Sequence, residues 1–137
     1  METDFWPQFQ RLQRYVGWSD YDIQRLRSAL PVVEPHLAEL IDDFYAEVDR
    51  HMETRRLLTG GRTQRERLKR TLRQWLVELF QANCDPQYVA RRWQVGWRHV
   101  EVGLEEAYAG AAMARLRAGL IKVLHETWSG SSEDLFQ

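Results

Sequence analysis

Leu37, Leu40, Ile41, Phe44, Tyr45 and Val48 fall at i, i+3, i+4, i+7, i+8 and i+11. This is the period of a helix with one apolar stripe, and it leaves no room for the alternation a strand needs. The same period returns at Ile23, Leu26 and Leu30, at Leu68, Leu72, Trp75, Leu76 and Leu79, and at Ala112, Leu116, Gly119, Leu120 and Val123. No run of alternating Val, Ile or Thr competes with it. Each helix must bury its stripe against another helix, so the expected class is all-α. A length of 137 residues with 44% hydrophobic content supports a single domain with a real core.

Proline, glycine and capping residues predict the boundaries. A first helix spans about Thr3 to Tyr15, with Pro7 tolerated in its first turn, and Gly17-Trp18-Ser19 breaks it. Ser19 or Asp20 can cap a second helix that Pro31 should terminate. Pro35 opens the helix of the long stripe. A short polar helix or turn runs to Leu58, and Gly60-Gly61 ends it. A long helix begins near Thr63, another follows Asp85-Pro86 and stops at Gly103, and another covers about Glu105 to Trp128. Ser131-Ser132-Glu133-Asp134 looks like the cap of one more helix that is cut off at its first turn.

The formal charge of −1 and a pI near 6.4 give no reason to propose nucleic acid or an anionic membrane as partner. No segment approaches a membrane span, and the start lacks a basic n-region and an apolar h-region, so a reducing cytoplasm is the default expectation. Cys84 is the single cysteine and excludes an internal disulfide; its Asn83-Cys84-Asp85-Pro86 setting reads as an interhelical turn. Six tryptophans, five tyrosines and five phenylalanines are many for this length, and suit contact with something large and flat.

One imidazole stands out. His99 lies on an apolar stripe with Val95 one turn before it and Val102 nearly one turn after, and Gly96 leaves a gap beside it. A ring facing a core needs partners for both nitrogens, since each unpaired buried polar group costs roughly 1–3 kcal/mol. Nδ1–H can reach the Val95 carbonyl, and Nε2 then points away into the space beside Gly96. A core histidine bonded to backbone satisfies this pattern, and so does a flat cofactor held through its metal. In the second case another helix must cover the opposite face. Tyr45, following Phe44 on its stripe, brings a hydroxyl that needs an interior partner. Leu68 and Thr71 share one side of the long helix, and Leu72 and Trp75 continue the wall. Thr71 can equally bond its own i−4 carbonyl. His36 at a helix start, His51 in a polar stretch and His125 lack a ligand setting. Arg91, Arg92 and Arg98 suit carboxylates of a cofactor, or simply a solvated face. Ala109-Gly110-Ala111-Ala112 and Gly119 permit close helix approach, within the chain or across a two-fold axis.

Several ordered segments together resemble the sensor globins, the haem-binding domains of globin-coupled sensors. They are Asp42-Asp43-Phe44-Tyr45; Arg67-Leu68-Lys69-Arg70-Thr71-Leu72 with Trp75 and Leu79-Phe80; Val95-Gly96 with His99 and Val102-Gly103-Leu104; and Tyr108-Ala109-Gly110-Ala111. The likeness runs from about Trp18 to Trp128. It implies a globin fold in one domain, 1–137, with an N-terminal extension helix over 1–17, the core over 18–128, and the start of a truncated last helix over 129–137. It also implies one haem b (iron protoporphyrin IX) with His99 as proximal iron ligand and Tyr45 as distal hydrogen-bond donor. Leu68 and Thr71 then lie on the distal helix, Thr71 as a second distal hydroxyl, and Tyr108 near the proximal side. Phe44, Leu72, Trp75, Val95 and Val102 are the expected cofactor contacts.

The implied function is gas sensing rather than catalysis. The ligands are O2, CO or NO, or water, hydroxide or an anion in the ferric state. A homodimer through the C-terminal helices and a covalently linked output domain are implied too. The resemblance within the family is to the haem domains of globin-coupled histidine kinases, which implies two-component signalling. The competing expectations are a haem enzyme and a cofactor-free helical interaction module. A peroxidase site wants a distal base, and no histidine lies between Thr63 and Phe80. A nitric-oxide dioxygenase needs electrons from a reductase.

Overall fold

The computed structural model describes residues 5–128, and all regular structure among them is helical. In order, the helices are α1 (Trp6–Tyr15), α2 (Asp20–Val33), a 3-10 turn (Glu34–His36), α3 (Leu37–Arg50), α4 (Met52–Arg55), α5 (Gly61–Gln81), α6 (Pro86–Glu101) and α7 (Glu106–Thr127). The expected cap and first turn of a further helix lie outside the described residues. None of the described helices is long and apolar enough to cross a membrane.

The boundaries have local causes. Pro7 sits in the first turn of α1, where a missing N–H costs nothing. Gly17 takes φ +72° and turns the chain, and Ser19 then donates its backbone N–H to Asp22 Oδ2 at 2.8 Å to start α2. Asp85 Oδ1 accepts from the Tyr88 N–H at 2.8 Å and starts α6 behind Pro86. α1 begins at Trp6 rather than Thr3, and α5 begins at Gly61 rather than Thr63, so Gly61 opens that helix instead of lying in the break; the largest difference is at Pro31. Pro31 does not end α2, which continues to Val33. Proline removes one backbone bond and costs about 3 kcal/mol inside a helix. Here that is offset because Ala29 and Val33 are buried on either side of it and Leu26 and Leu30 pack against the same cluster.

α2 and α3 both pack on α5 and α7. One core cluster joins Ala29, Val33, Phe80 and Val123; a second joins Leu37, Ile41 and Leu76; Leu40 and Leu120 touch both. Ion pairs hold the outer edge of α3 from two sides. Arg65 meets Asp49 at 2.6 Å and Lys69 meets Asp42 at 3.0 Å from α5, while Arg115 of α7 meets Asp43 at 2.9 Å. Exposed pairs of this kind contribute little singly.

α6 is held differently. Its main helical neighbour is α1, through Phe5 stacked on Trp93 (centroids 5.3 Å apart) and Phe9 against Tyr88 (6.3 Å). Its hydrogen bonds and ion pairs to α5 come from Arg91 and Arg92, both in its first half. The second half, which carries His99, has none among the described residues.

Candidate functional site

The face of α6 that carries His99 can be located from Arg92. Seven residues make nearly two full turns, so the two side chains differ by only about 20° around the helix. Arg92 lies against α5: Nη2 donates to the Trp75 carbonyl at 2.9 Å, and the guanidinium carbon stands 4.2 Å from the centre of the Trp75 ring. His99 therefore faces the α5 side. The connection between α5 and α6 is short and reverses the chain, so a step toward the end of α6 is a step toward the start of α5. Continued past the Arg91–Glu78 and Arg92–Trp75 contacts, that register runs toward the part of α5 that carries Leu72 and Leu68.

His99 itself is exposed, which differs from an imidazole packed in a core. Desolvation still pushes its pKa below the ordinary imidazole value. Both hold for a ring walled by protein on some sides and open on another. The expected bond from Nδ1 to the Val95 carbonyl is not formed, and neither ring nitrogen has a partner among the described residues. The Val95 carbonyl already takes part in the α6 ladder, and an exposed ring is under no pressure to share it. A Cβ built on Gly96 meets nothing within 4 Å, so the expected gap is there. Val95 is half-buried, and Val102 is 38% exposed at the end of the helix.

Tyr45 packs with Leu72 and Trp75 against the Leu37, Ile41 and Leu76 cluster. Its ring meets Phe44 edge-on at 5.0 Å. Desolvation pushes its pKa up to about 12. No described residue bonds its hydroxyl. Leu68 is half-buried one turn before Leu72. Thr71 is exposed, and its hydroxyl donates to the Arg67 carbonyl at 3.0 Å, so its single proton is already committed.

Phe44 and Tyr108 stand elsewhere. Both line a cleft of about 240 Å³ between α3, α4 and α7, with Val48, Thr54 and Ala112. Consecutive helical residues point about 100° apart, so Phe44 and Tyr45 serve two different surfaces of α3. Desolvation first, then the Glu53 carboxylate, raises the Tyr108 pKa. Of the remaining histidines, His51 lines the same cleft and pairs with Glu47 at 3.0 Å, His36 is half-buried rather than exposed, and His125 is exposed on α7. No group of three or more His, Cys, Asp or Glu among the described residues could hold a metal ion.

Arg92 is the residue whose place the sequence reading missed. A solvated face of arginines fits Arg91, which pairs with Glu78 at 3.5 Å, and Arg98, which is exposed. It does not fit Arg92, which is half-buried between the rings of Trp75 and Tyr88, 4.2 and 4.6 Å from their centres. The signal was present: Tyr88 lies four residues before Arg92 on the same face, a spacing at which a ring and a guanidinium meet.

Comparison with known proteins identifies the fold and the family. The Protoglobin family model matches residues 7–137. The chain is 29% identical over 111 residues to the Heme-based aerotactic transducer HemAT of Halobacterium salinarum, a match that takes in 80% of this chain and 22% of the transducer. The chain thus corresponds to a minor part of that relative. Its structure is similar to the globin domain of the Geobacter sulfurreducens globin-coupled sensor, with a TM-score of 0.84 and 27% identity over 93% of this chain and 82% of that one. A family match over almost the whole length, with a structural likeness to a globin-coupled sensor domain and only helices among the described residues, leads to one conclusion: the chain belongs to the Protoglobin family and is a sensor-globin domain.

Proposed function

We propose that this domain binds haem b through His99 and reports the binding of a diatomic gas to a signalling output. The observation that carries the reading is a pair of unpartnered polar groups beside one wall. The Tyr45 hydroxyl on α3 packs beside Leu72 and Trp75 of α5, the register of α6 runs His99 toward the same helix, and neither group has a protein partner among the described residues. A haem would supply an iron able to bind O2, CO or NO, and His99 would be the residue that holds it.

The chain's own groups fit such a cofactor. Nε2 of His99 is unencumbered, and Gly96 leaves its side of α6 bare. Tyr45 keeps its proton at every physiological pH, since its pKa is about 12, and so remains a hydrogen-bond donor. Leu68, Leu72 and Trp75 exclude water around it. Val95 and Val102 flank His99, and Phe44 backs Tyr45. Thr71 ranks below Tyr45 as a donor because its proton is spent on Arg67. Tyr108, in the cleft between α3, α4 and α7, serves the signal rather than the cofactor. The printed description of the halobacterial relative, a heme-based transducer, supports the sensing role.

Sensing requires that the ligated and unligated states differ in free energy at a second place. The second half of α6 lacks polar ties to α5, so it is the part free to shift, and α7 follows it directly. α7 would carry the shift to a homodimer partner and to an output domain, a histidine kinase of a two-component system in this reading.

The test is an absorption spectrum of the chain after reconstitution with haem. A strong Soret band that is lost or displaced in His99→Ala supports the assignment. No band in the wild type, or an unchanged band in the variant, ends it.

A further inference from the structure

We infer that Arg92 is a positioning residue: its guanidinium clamps α6 onto α5 and thereby sets the angle at which the His99 face meets the distal wall. The inference rests on the proposed role of His99. Arg92 occupies the centre of a stack that crosses three helices. Phe9 of α1 meets Tyr88 at 6.3 Å, the Tyr88 ring lies 4.6 Å from the guanidinium carbon, and the Trp75 ring lies 4.2 Å from it on α5. Nη2 adds a directional bond to the Trp75 backbone carbonyl at 2.9 Å. A planar cation between two ring faces resists both sliding and rotation, which an aliphatic contact does not.

Two further observations separate this from ordinary packing. Nη1 of Arg92 is buried with no hydrogen-bond partner among the described residues. A buried, unpaired donor is costly, so a leucine would serve mere cohesion better. And among the described residues no polar tie joins α6 to α5 after Arg92, so past the Phe5–Trp93 stack the orientation of the nine following residues of α6 is set at this junction. His99 lies seven residues on, on the same face. A small change of angle at Arg92 is therefore carried to the ligand as a displacement of its ring.

The experiment compares Arg92→Met, Arg92→Lys and a core control, Val123→Ala, in the full chain. Two readouts are taken: amide hydrogen exchange without added haem, and the iron–histidine vibrational band of the haem-loaded ferrous protein. In Arg92→Met, exchange over 86–104 should rise on the order of fivefold while α2 and α3 stay within twofold, and the iron–histidine band should shift or broaden. Arg92→Lys, which keeps the charge but loses the planar stack, should fall between wild type and Met. Val123→Ala should leave the band unmoved.

An unchanged band and unchanged exchange in Arg92→Met would overturn the inference, as would an equal band shift in the core control. If Arg92→Met does not fold, Arg92→Lys decides by the same two readouts. If the wild type takes up no haem, the His99 assignment falls, and exchange over 86–104 alone still decides whether Arg92 orients α6.

Discussion

A Cβ at Gly119 would stand 2.6 Å from Cδ2 of Leu40. The bare backbone of α7 thus receives the α3 leucine that touches both core clusters. Replacing Gly119 by Ala brings two opposing effects. Alanine favours the helix by about 1 kcal/mol, and moving the tip of a flexible leucine costs a similar amount. Gly119→Ala should therefore stay within about 1 kcal/mol of wild type in urea denaturation. Gly119→Leu has no such escape, and should lose about 1–3 kcal/mol or more. Equal stability of the two variants would show that α3 and α7 do not meet at this point.

Acid should unfold the domain through a small set of carboxylates. The Ser19 backbone N–H holds the Asp22 carboxyl below its usual value, as do Arg115 for Asp43, His51 and Arg50 for Glu47, and Arg65 for Asp49. For a depressed carboxyl the stabilisation is present above the unfolded pKa, near 4, and is lost as pH falls through the lower folded value. The melting temperature should decline gently below about pH 6.5, where unfolding lets the desolvated His99 take up a proton, and fall steeply below about 4. Arg115→Met should make that fall shallower, as should added salt, because these pairs are exposed. A melting temperature flat down to pH 3 would contradict the assignment.

The helices and most of their ends were legible because their causes are local. The stripe of α3, the Ser19–Asp22 cap, Pro86 behind Asp85 and the positive φ of Gly103 each involve residues within one or two turns of one another. The misreadings all turned on tertiary contacts. Pro31 is tolerated because Val33 is buried by α5 and α7, which no local rule sees. Arg92 is half-buried because Trp75, from another helix, covers it. Gly110 and Gly119 look alike as small residues in one helix, yet a Cβ at Gly110 meets nothing within 4 Å while Gly119 receives Leu40. In the candidate site, Tyr45 was legible from its stripe. The separation of Phe44 from Tyr45 depended on which neighbours sit on each side of α3.

The two distal hydroxyls should behave differently in the haem-loaded domain. Thr71 spends its proton on the Arg67 carbonyl at 3.0 Å, whereas Tyr45 has no described partner. Tyr45→Phe should therefore speed oxygen dissociation severalfold or more, as expected from losing a hydrogen bond of about 1 kcal/mol or above. Thr71→Val should change it less than about twofold. Stopped-flow dissociation on both variants checks this. A larger effect at Thr71 than at Tyr45 would reverse the assignment of the donor.

The Tyr45 hydroxyl also makes a prediction that needs no cofactor. Its pKa is about 12 in the folded chain, raised by desolvation, against about 10 for an unfolded tyrosine. A group raised on folding binds more protons in the native state once the pH passes the unfolded value. Its contribution is complete below pH 10 and is lost as the pH climbs from about 10 to 12, with a slope of at most about 1.4 kcal/mol per pH unit. The Tyr88 and Tyr108 hydroxyls are raised as well, so the wild type alone does not isolate the effect. The difference between wild type and Tyr45→Phe does. Denaturation midpoints of the two should run parallel from pH 7 to 9, and above pH 10 the wild type should fall relative to Tyr45→Phe, as it loses a term the variant never had. Parallel curves through pH 11.5 would mean that the Tyr45 hydroxyl is open to water, and so is not the donor held ready on the distal side.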